Sequence, residues 1–311
     1  MLPLSPIAEL NSVVTDGNIV AFNVGFDEMV YVVLAVKPLD YRTEQPGWAS
    51  FAKTTPDTPQ RYRIIAFQED RLTLDIDIAE EQFNIHDIQP LPAKEILLVC
   101  ARSHYKSPND FERNGRIYSL GGKFSREILL GDGIQSVQAT SNGTIWTSFF
   151  DEGVFGNFGW DEPIGSSGLV AWDSTGNKIY DFQPTDGLDS ICDCYALNVE
   201  SDTDVWLYYY TEFPLVHLHH NKIQSVWNMP ISGSDGFAVS GNRALFRGGY
   251  SDRDTYDLFS LNNNGKVKLL KQLKFTDEAG QTIIAESVVG RGGSLYILSN
   301  GLVYRVFVWA V

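Results

Sequence analysis

The chain has 311 residues, 43% hydrophobic and 13% aromatic, with Lys+Arg 24 against Asp+Glu 39 for a formal net charge of −15. That is enough apolar material for one large all-β domain or two average ones. The negative charge disfavours nucleic-acid backbones and anionic membrane surfaces, and it draws in cations and basic ligands.

The opening segment, MLPLSPIAELNSVV, has neither a basic leading region nor a continuous apolar run, so it does not read as a signal peptide. No window approaches the roughly eighteen uninterrupted apolar residues of a membrane span. Cys100, Cys192 and Cys194 form an odd set without framework spacing, which predicts a reduced, cytoplasmic protein.

Along the chain, helical periodicity is nearly absent. Short apolar runs rich in β-branched and aromatic residues alternate with turns. The turns are TDGN at 15–18, SNGT at 141–144, STGN at 174–177, SGNR at 240–243, NNNGK at 262–266 and GRGG at 290–293. Gly and Asn there supply the positive φ of tight hairpins.

The runs group in fours. NIVAFNV, MVYVVLAV, RYRIIAF and RLTLDIDI occupy 18–78, and FNIHDIQ, EILLVCA, GRIYSL and FSREILL occupy 83–130. IQSVQAT, TIWTSFF, GLVAWD and NKIYDF follow to 182, then CDCYALNV, DVWLYYY, LVHLH and KIQSVW to 227. GFAVS, RALFRGG, TYDLFSL and KVKLLKQL reach 273, and QTIIAESVV, SLYILS and LVYRVFV make a last set of only three.

Units of about forty to sixty residues with four strands each predict an all-β, six-bladed β-propeller spanning 1–311 as a single domain. Seven blades is the alternative count. The segment around 7–14 supplies the missing outer strand and closes the ring, leaving no free edge. A two-sheet sandwich competes, because strand spacing alone does not separate the two.

If strands are lettered a to d from the axis outwards, a–b and c–d connections are tight. The b–c connections 37–60, 102–114, 150–167, 210–214 and 248–254 are long, as are the d–a connections 183–191 and 274–280. In a propeller these two kinds of connection share one face of the disc. One face is therefore structural and the other is expected to carry function.

Four constellations fall on that face or near it. In FDEGVFGNFGW, Asp151 and Glu152 offer carboxylates and Asn157 a neutral oxygen, a donor set suited to a divalent cation such as Ca²⁺. Phe155, Phe158 and Trp160 would wall that site and raise a carboxyl's pKa for proton transfer. The competing account makes the acids turn caps and the aromatics anchors.

Second, His86, Asp87, Asp132, Asp193 and Asp235 stand at the starts of the a strands, facing the channel mouth. They form a ring that would bind a cation or draw in a cationic ligand, unless Asp-Gly there is only turn chemistry. Third, Cys192 and Cys194, with no matching second pair, read as small buried hydrophobes rather than a zinc half-site. His217, His219 and His220 read as a solvated strand edge, and Asn198 as a satisfied interior amide.

Fourth, Arg102 and Arg247 follow equivalent b strands. They would clamp a ligand's anionic group or, as the favoured account, pair with the acids just named. Tyr210 ends the VWLYYY run at the loop, beyond Trp206 and Tyr208 in the inter-blade core. The sequence contains no nucleophile elbow, P-loop, dinucleotide fingerprint or HExxH.

At QPLPAKEILLVCAR, FDEGVFGNFGW, DCYALNV and YYTEFPLV, from about residue 83 onward, the sequence resembles a family of uncharacterised bacterial propeller-like proteins. That family carries no assigned activity to transfer. More distantly, the blade pattern is similar to NHL and lactonase-type propellers, which hold one cation at the channel mouth with carboxylate and amide oxygens. No ligand set matches residue by residue, and the likeness is one of fold.

The expected function is binding of a small molecule or peptide, with a protein partner on the same long-loop face. The alternative is a metal-dependent hydrolase or lyase using Asp151 or Glu152 in the same cleft. Neither nucleic acid nor membrane is an expected partner.

Overall fold

Six four-stranded antiparallel sheets stand around a common axis in the computed structural model, which describes residues 1–14, 17–43 and 50–311. Blade 1 comprises Asn18–Val24, Val30–Ala35, Gln60–Gln68 and Arg71–Glu81. Blade 2 comprises Asp87–Leu91, Glu95–Val99, Gly115–Ser119 and Phe124–Ile128. Blade 3 is built from Ile134–Ala139, Ile145–Phe149, Leu169–Trp172 and Lys178–Asp181, and blade 4 from Asp193–Val199, Asp204–Tyr210, Pro214–His219 and Lys222–Asn228. Blade 5 holds Phe237–Ser240, Arg243–Arg247, Tyr256–Leu261 and Val267–Leu273. Blade 6 holds Ser287–Arg291, Ser294–Ser299 and Leu302–Phe307, completed by the N-terminal strand Ala8–Glu9.

Ala8 pairs with Val303 and Glu9 with Leu302, so the two ends of the chain share a blade as the sequence predicts. The first strands of successive blades adjoin one another and line the axis. Buried apolar residues form six layers, each between two neighbouring blades. The last packs Tyr296 and Leu298 of blade 6 against Val32, Leu34 and Phe67 of blade 1. A sheet whose two faces are both covered by neighbouring sheets reads as a nearly continuous apolar run. VYVVLA in blade 1, buried at all six positions, is the clearest case.

The a–b and c–d connections are short in every blade where the chain makes them. The b–c excursions 36–59, 100–114, 150–168 and 248–255 lie on the opposite face. One connection departs from expectation, and the blade 6 turn is tight as well. In blade 4 the stretch expected to be long is the three-residue turn 211–213, with positive φ at Glu212 and Phe213, and blade 6 turns at Asn300 and Gly301. The crowded side of the disc is thus furnished by blades 1, 2, 3 and 5.

QTIIAESVV is strand only from Ser287. Its first half belongs to the connection between blades 5 and 6, where Phe275–Thr276 pairs in parallel with Leu2–Pro3. The Thr15–Asp16 half of the TDGN turn and positions 44–49 of the first long excursion lie outside the described residues.

Candidate functional site

Beneath the long excursions the inner strands leave an axial cavity of about 410 Å³. Its wall includes Ile19, Asp87, Gln135, Ala196, Gly236 and Ser287, all near the starts of their strands, so it belongs to the long-loop face. Side chains bridging the inner strands fill the axis below. The Asn23 amide donates to Asp87 Oδ1 at 2.6 Å and to the Val137 carbonyl at 2.9 Å. Gln138 spans the axis to the Gly290 carbonyl at 2.9 Å, and Arg291 reaches the Ala139 carbonyl at 2.6 Å. Asn198 exchanges two bonds with Gly292, a satisfied interior amide as expected.

Three inner strands carry a register shift near their long-loop ends, between Ile19 and Ala21, between Ile134 and Ser136, and between Cys194 and Ala196. The extra residues are Val20, Gln135 and Tyr195. A bulge re-aims the side chain it inserts. Val20 and Gln135 line the cavity, while Tyr195 joins an aromatic group beside it.

The expected ring of acids divides into three settings. His86, Asp87 and Asp235 border the cavity. Burial pushes the Asp87 carboxyl up to about 7, against the Asn23 amide and the Ile88 and Val137 N–H groups that favour its charge. Burial lowers His86 to about 4, and its Nδ1 accepts the Ala101 N–H at 3.3 Å, so it is neutral. Asp235 accepts Arg247 at 3.0 Å and Arg253 at 2.7 Å through Oδ2.

Asp132, the second setting, is buried against Arg102 in a two-point contact, Nε and Nη2 each at 2.9 Å. Burial raises its carboxyl above the ordinary value, opposed by Arg102 and the Ser103 N–H. Arg102 also grips Glu152 through Nη1, and its guanidinium lies 3.9 Å over the Phe158 ring. Asp193, the third, has no ion-pair partner among the described residues. Burial, and to a lesser degree the charge of Asp151, push it up to about 6.

FDEGVFGNFGW begins with a short helix, α1 (Asp151–Phe155). It sits directly on the connection entering blade 3: a Cβ on Gly153 would lie 2.6 Å from the carbonyl oxygens of Asp132 and Gly133. Trp160 is buried, donates its indole N–H to the Ser103 carbonyl at 2.7 Å and packs 4.8 Å from Tyr105. It anchors the loop to blade 2.

Phe155 is exposed, and Asn157 Oδ1 accepts the Phe158 N–H at 2.7 Å. Asp151 faces solvent, Glu152 faces Arg102, and Asn157 borders a different hollow with His104 and Lys53. Among the described residues no group of three or more His, Cys, Asp and Glu side chains is placed to hold a metal ion.

Arg247 is buried and makes three bonds, to Asp235 and to the carbonyls of Arg253 and Ala285. Both arginines therefore pair internally. Cys194 is buried, and half-buried Cys192 accepts the Thr211 hydroxyl at 3.4 Å. His217 and His219 converge on Asp204 Oδ1 at 2.9 and 2.8 Å at the short-turn end of blade 4, away from the mouth.

Sequence reasoning missed Tyr195 and Tyr250, which lie with Tyr210 and Phe213 on the long-loop face. The rings of Tyr195 and Tyr250 are 5.9 Å apart, Phe213 is 5.6 Å from Tyr195 and 6.1 Å from Tyr250, and Tyr210 is 5.5 Å from Phe213. Period-two counting along DCYALNV hides Tyr195, because only the bulge turns it outward.

Residues 167–306, less than half of the chain, match the model of the YxzG family. No curated protein matches the chain. Among solved structures, one of the mitotic checkpoint complex is similar at 8% identity and a TM-score of 0.54, over 99% of this chain and 93% of that one. The WD40 β-propeller domain of Doa1 is similar at 10% identity and a TM-score of 0.47, over 99% and 97%. No helix is long and apolar enough to cross a membrane among the described residues. The chain is a six-bladed β-propeller of four antiparallel strands per blade, and its C-terminal blades carry the YxzG match.

Proposed function

We propose that this propeller is a cytoplasmic binding module that takes a small molecule or peptide through its long-loop face at the mouth of the axial cavity. The carrying observation is that cavity: about 410 Å³, central on the face and bordered by His86, Asp87, Gln135, Ser136 and Gln138. The volume suits a metabolite or a single side chain. Commitment of Arg102 and Arg247 to internal carboxylates supports binding over hydrolysis, because Glu152 would have to leave Arg102 to serve as metal ligand or base. Three free cysteines accord with a reducing compartment.

Thermal unfolding of the purified protein with metabolites, short peptides and CaCl₂ tests the reading. At least one metabolite or peptide is expected to raise Tm, and Gln135→Trp, which fills the mouth, is expected to abolish the shift. A shift produced by Ca²⁺ alone and lost in the Asp151→Ala/Glu152→Ala variant would replace this reading with the metal-dependent one.

A further inference from the structure

Between blades 3, 4 and 5 the long-loop face carries aromatic rings and carboxylates that no cation among the described residues neutralises. Asp193 opens the inner strand of blade 4, and α1, with Asp151 in its first turn, packs against that strand. Neither carboxylate has an ion-pair partner among the described residues. Of the other acids named at the mouth, Asp132 and Glu152 have Arg102 and Asp235 has Arg247 and Arg253, while Asp87 is met by the neutral donors of Asn23, Ile88 and Val137.

Next to the acids stand the four rings. Tyr195 is turned outward by the bulge, and its hydroxyl meets that of Tyr250. Tyr210 is 45% exposed and Tyr250 58%. Phe213 holds the group together from the blade 4 turn. Gly233 keeps space for Tyr250, since a Cβ there would lie 2.3 Å from the ring, at a φ of 76°.

We infer that this aromatic and acidic patch docks a basic segment of a partner protein, seating a lysine or arginine side chain against Tyr195, Tyr210 and Tyr250 with Asp151 and Asp193 as counter-charges. This rests on the long-loop face being the binding face. Charge complementarity selects the occupant. Ring faces attract cations, two adjacent unneutralised carboxylates gain most from one positive charge, and the chain's −15 steers basic partners toward it. A hydrophobic occupant would leave both acids desolvated and unpaired, and an acidic one would be repelled.

The test titrates the full chain with a fluorescein-labelled Gly-Lys-Gly-Lys-Gly peptide, its arginine and glutamate counterparts and tetramethylammonium chloride, by anisotropy and by backbone amide shifts. The basic peptides are expected to bind and the glutamate peptide not to. Tyr250→Ala is expected to weaken binding by about three- to thirtyfold, and Asp193→Asn by about three- to tenfold. Asp70→Asn, at a turn on the opposite face, should leave it unchanged.

Equal loss in Asp70→Asn would mean general charge attraction and overturns the inference. So would tetramethylammonium binding without peptide binding, or no binding of either basic peptide. Peptide binding abolished by Gln135→Trp but untouched by Tyr250→Ala and Asp193→Asn overturns the patch and leaves the face standing. Shifts confined to the short-turn side would overturn both.

Discussion

Two neighbouring regions of the same face use the same residue types in opposite ways. Between blades 2 and 3, Asp132 and Glu152 are gripped by Arg102, Phe158 lies under that guanidinium, and Trp160 is sunk onto Ser103. Between blades 3, 4 and 5, Asp151 and Asp193 have no ion-pair partner among the described residues, and Tyr210 and Tyr250 remain open. Acid and aromatic next to glycine is therefore not a signature of function. What separates the regions is one buried arginine: where it is present, carboxylates and rings become structure, and where it is absent they stay available.

The largest effect is expected where that arginine is removed. Arg102→Met strips Asp132 of its counter-charge in a buried setting, and the loss is about 3–5 kcal/mol in urea unfolding. Adding Asp132→Asn should recover a substantial part, since it removes the stranded charge. An Arg102→Met protein as stable as wild type would erase the distinction between the regions.

Trp160→Ala removes a buried indole and its bond to Ser103, with an expected cost of about 3 kcal/mol. The same measurement on Tyr250→Ala should give a change within about 0.5 kcal/mol. That contrast is the most direct check that one set of aromatics is anchor and the other surface.

Asp87 sharpens the comparison through pH. The folded chain holds its proton to about pH 7, while an unperturbed carboxyl releases it near 3.8. The contribution of Asp87 to stability is therefore greatest below pH 4 and declines as pH rises from about 4 to about 7. Because Asp87 is only half-buried and borders the cavity, solvent screening discounts the decline to about 1–2 kcal/mol. Unfolding from pH 4 to 8 should show Asp87→Asn with a flatter profile, the variant gaining on wild type toward high pH.

The smallest effect is of opposite sign to the first. With its carboxyl pushed to about 6, Asp193 is charged and unfavourable above that pH. Asp193→Asn should stabilise by about 0.5 kcal/mol at pH 8, after screening by solvent, and by nothing at pH 4. A destabilised Asp193→Asn at pH 8 would reveal a favourable partner for that carboxylate.

Much of the ring was legible in the chain itself. NIVAFNV and VYVVLA announce strands covered on both faces, the Asn-Gly and Gly-Asn pairs mark the tight turns, and a last set of three strands asks for a fourth from the N-terminus. The 211–213 turn is shorter than its sequence suggests, because positive φ at Glu212 and Phe213 lets two ordinary residues turn a chain that normally calls for glycine. QTIIAESVV is strand only in its second half, because an apolar run packs equally well as a buried connection.

The sequence alone determined the period, the closure and the side of the disc that carries the long excursions, since these follow from local turn chemistry and from runs of apolar residues. Only the tertiary structure decided which carboxylates meet an arginine, which rings are sunk, and that a bulge aims Tyr195 outward. Those outcomes are set by contacts among residues remote in the chain and by a one-residue change of register, and neither leaves a periodic trace.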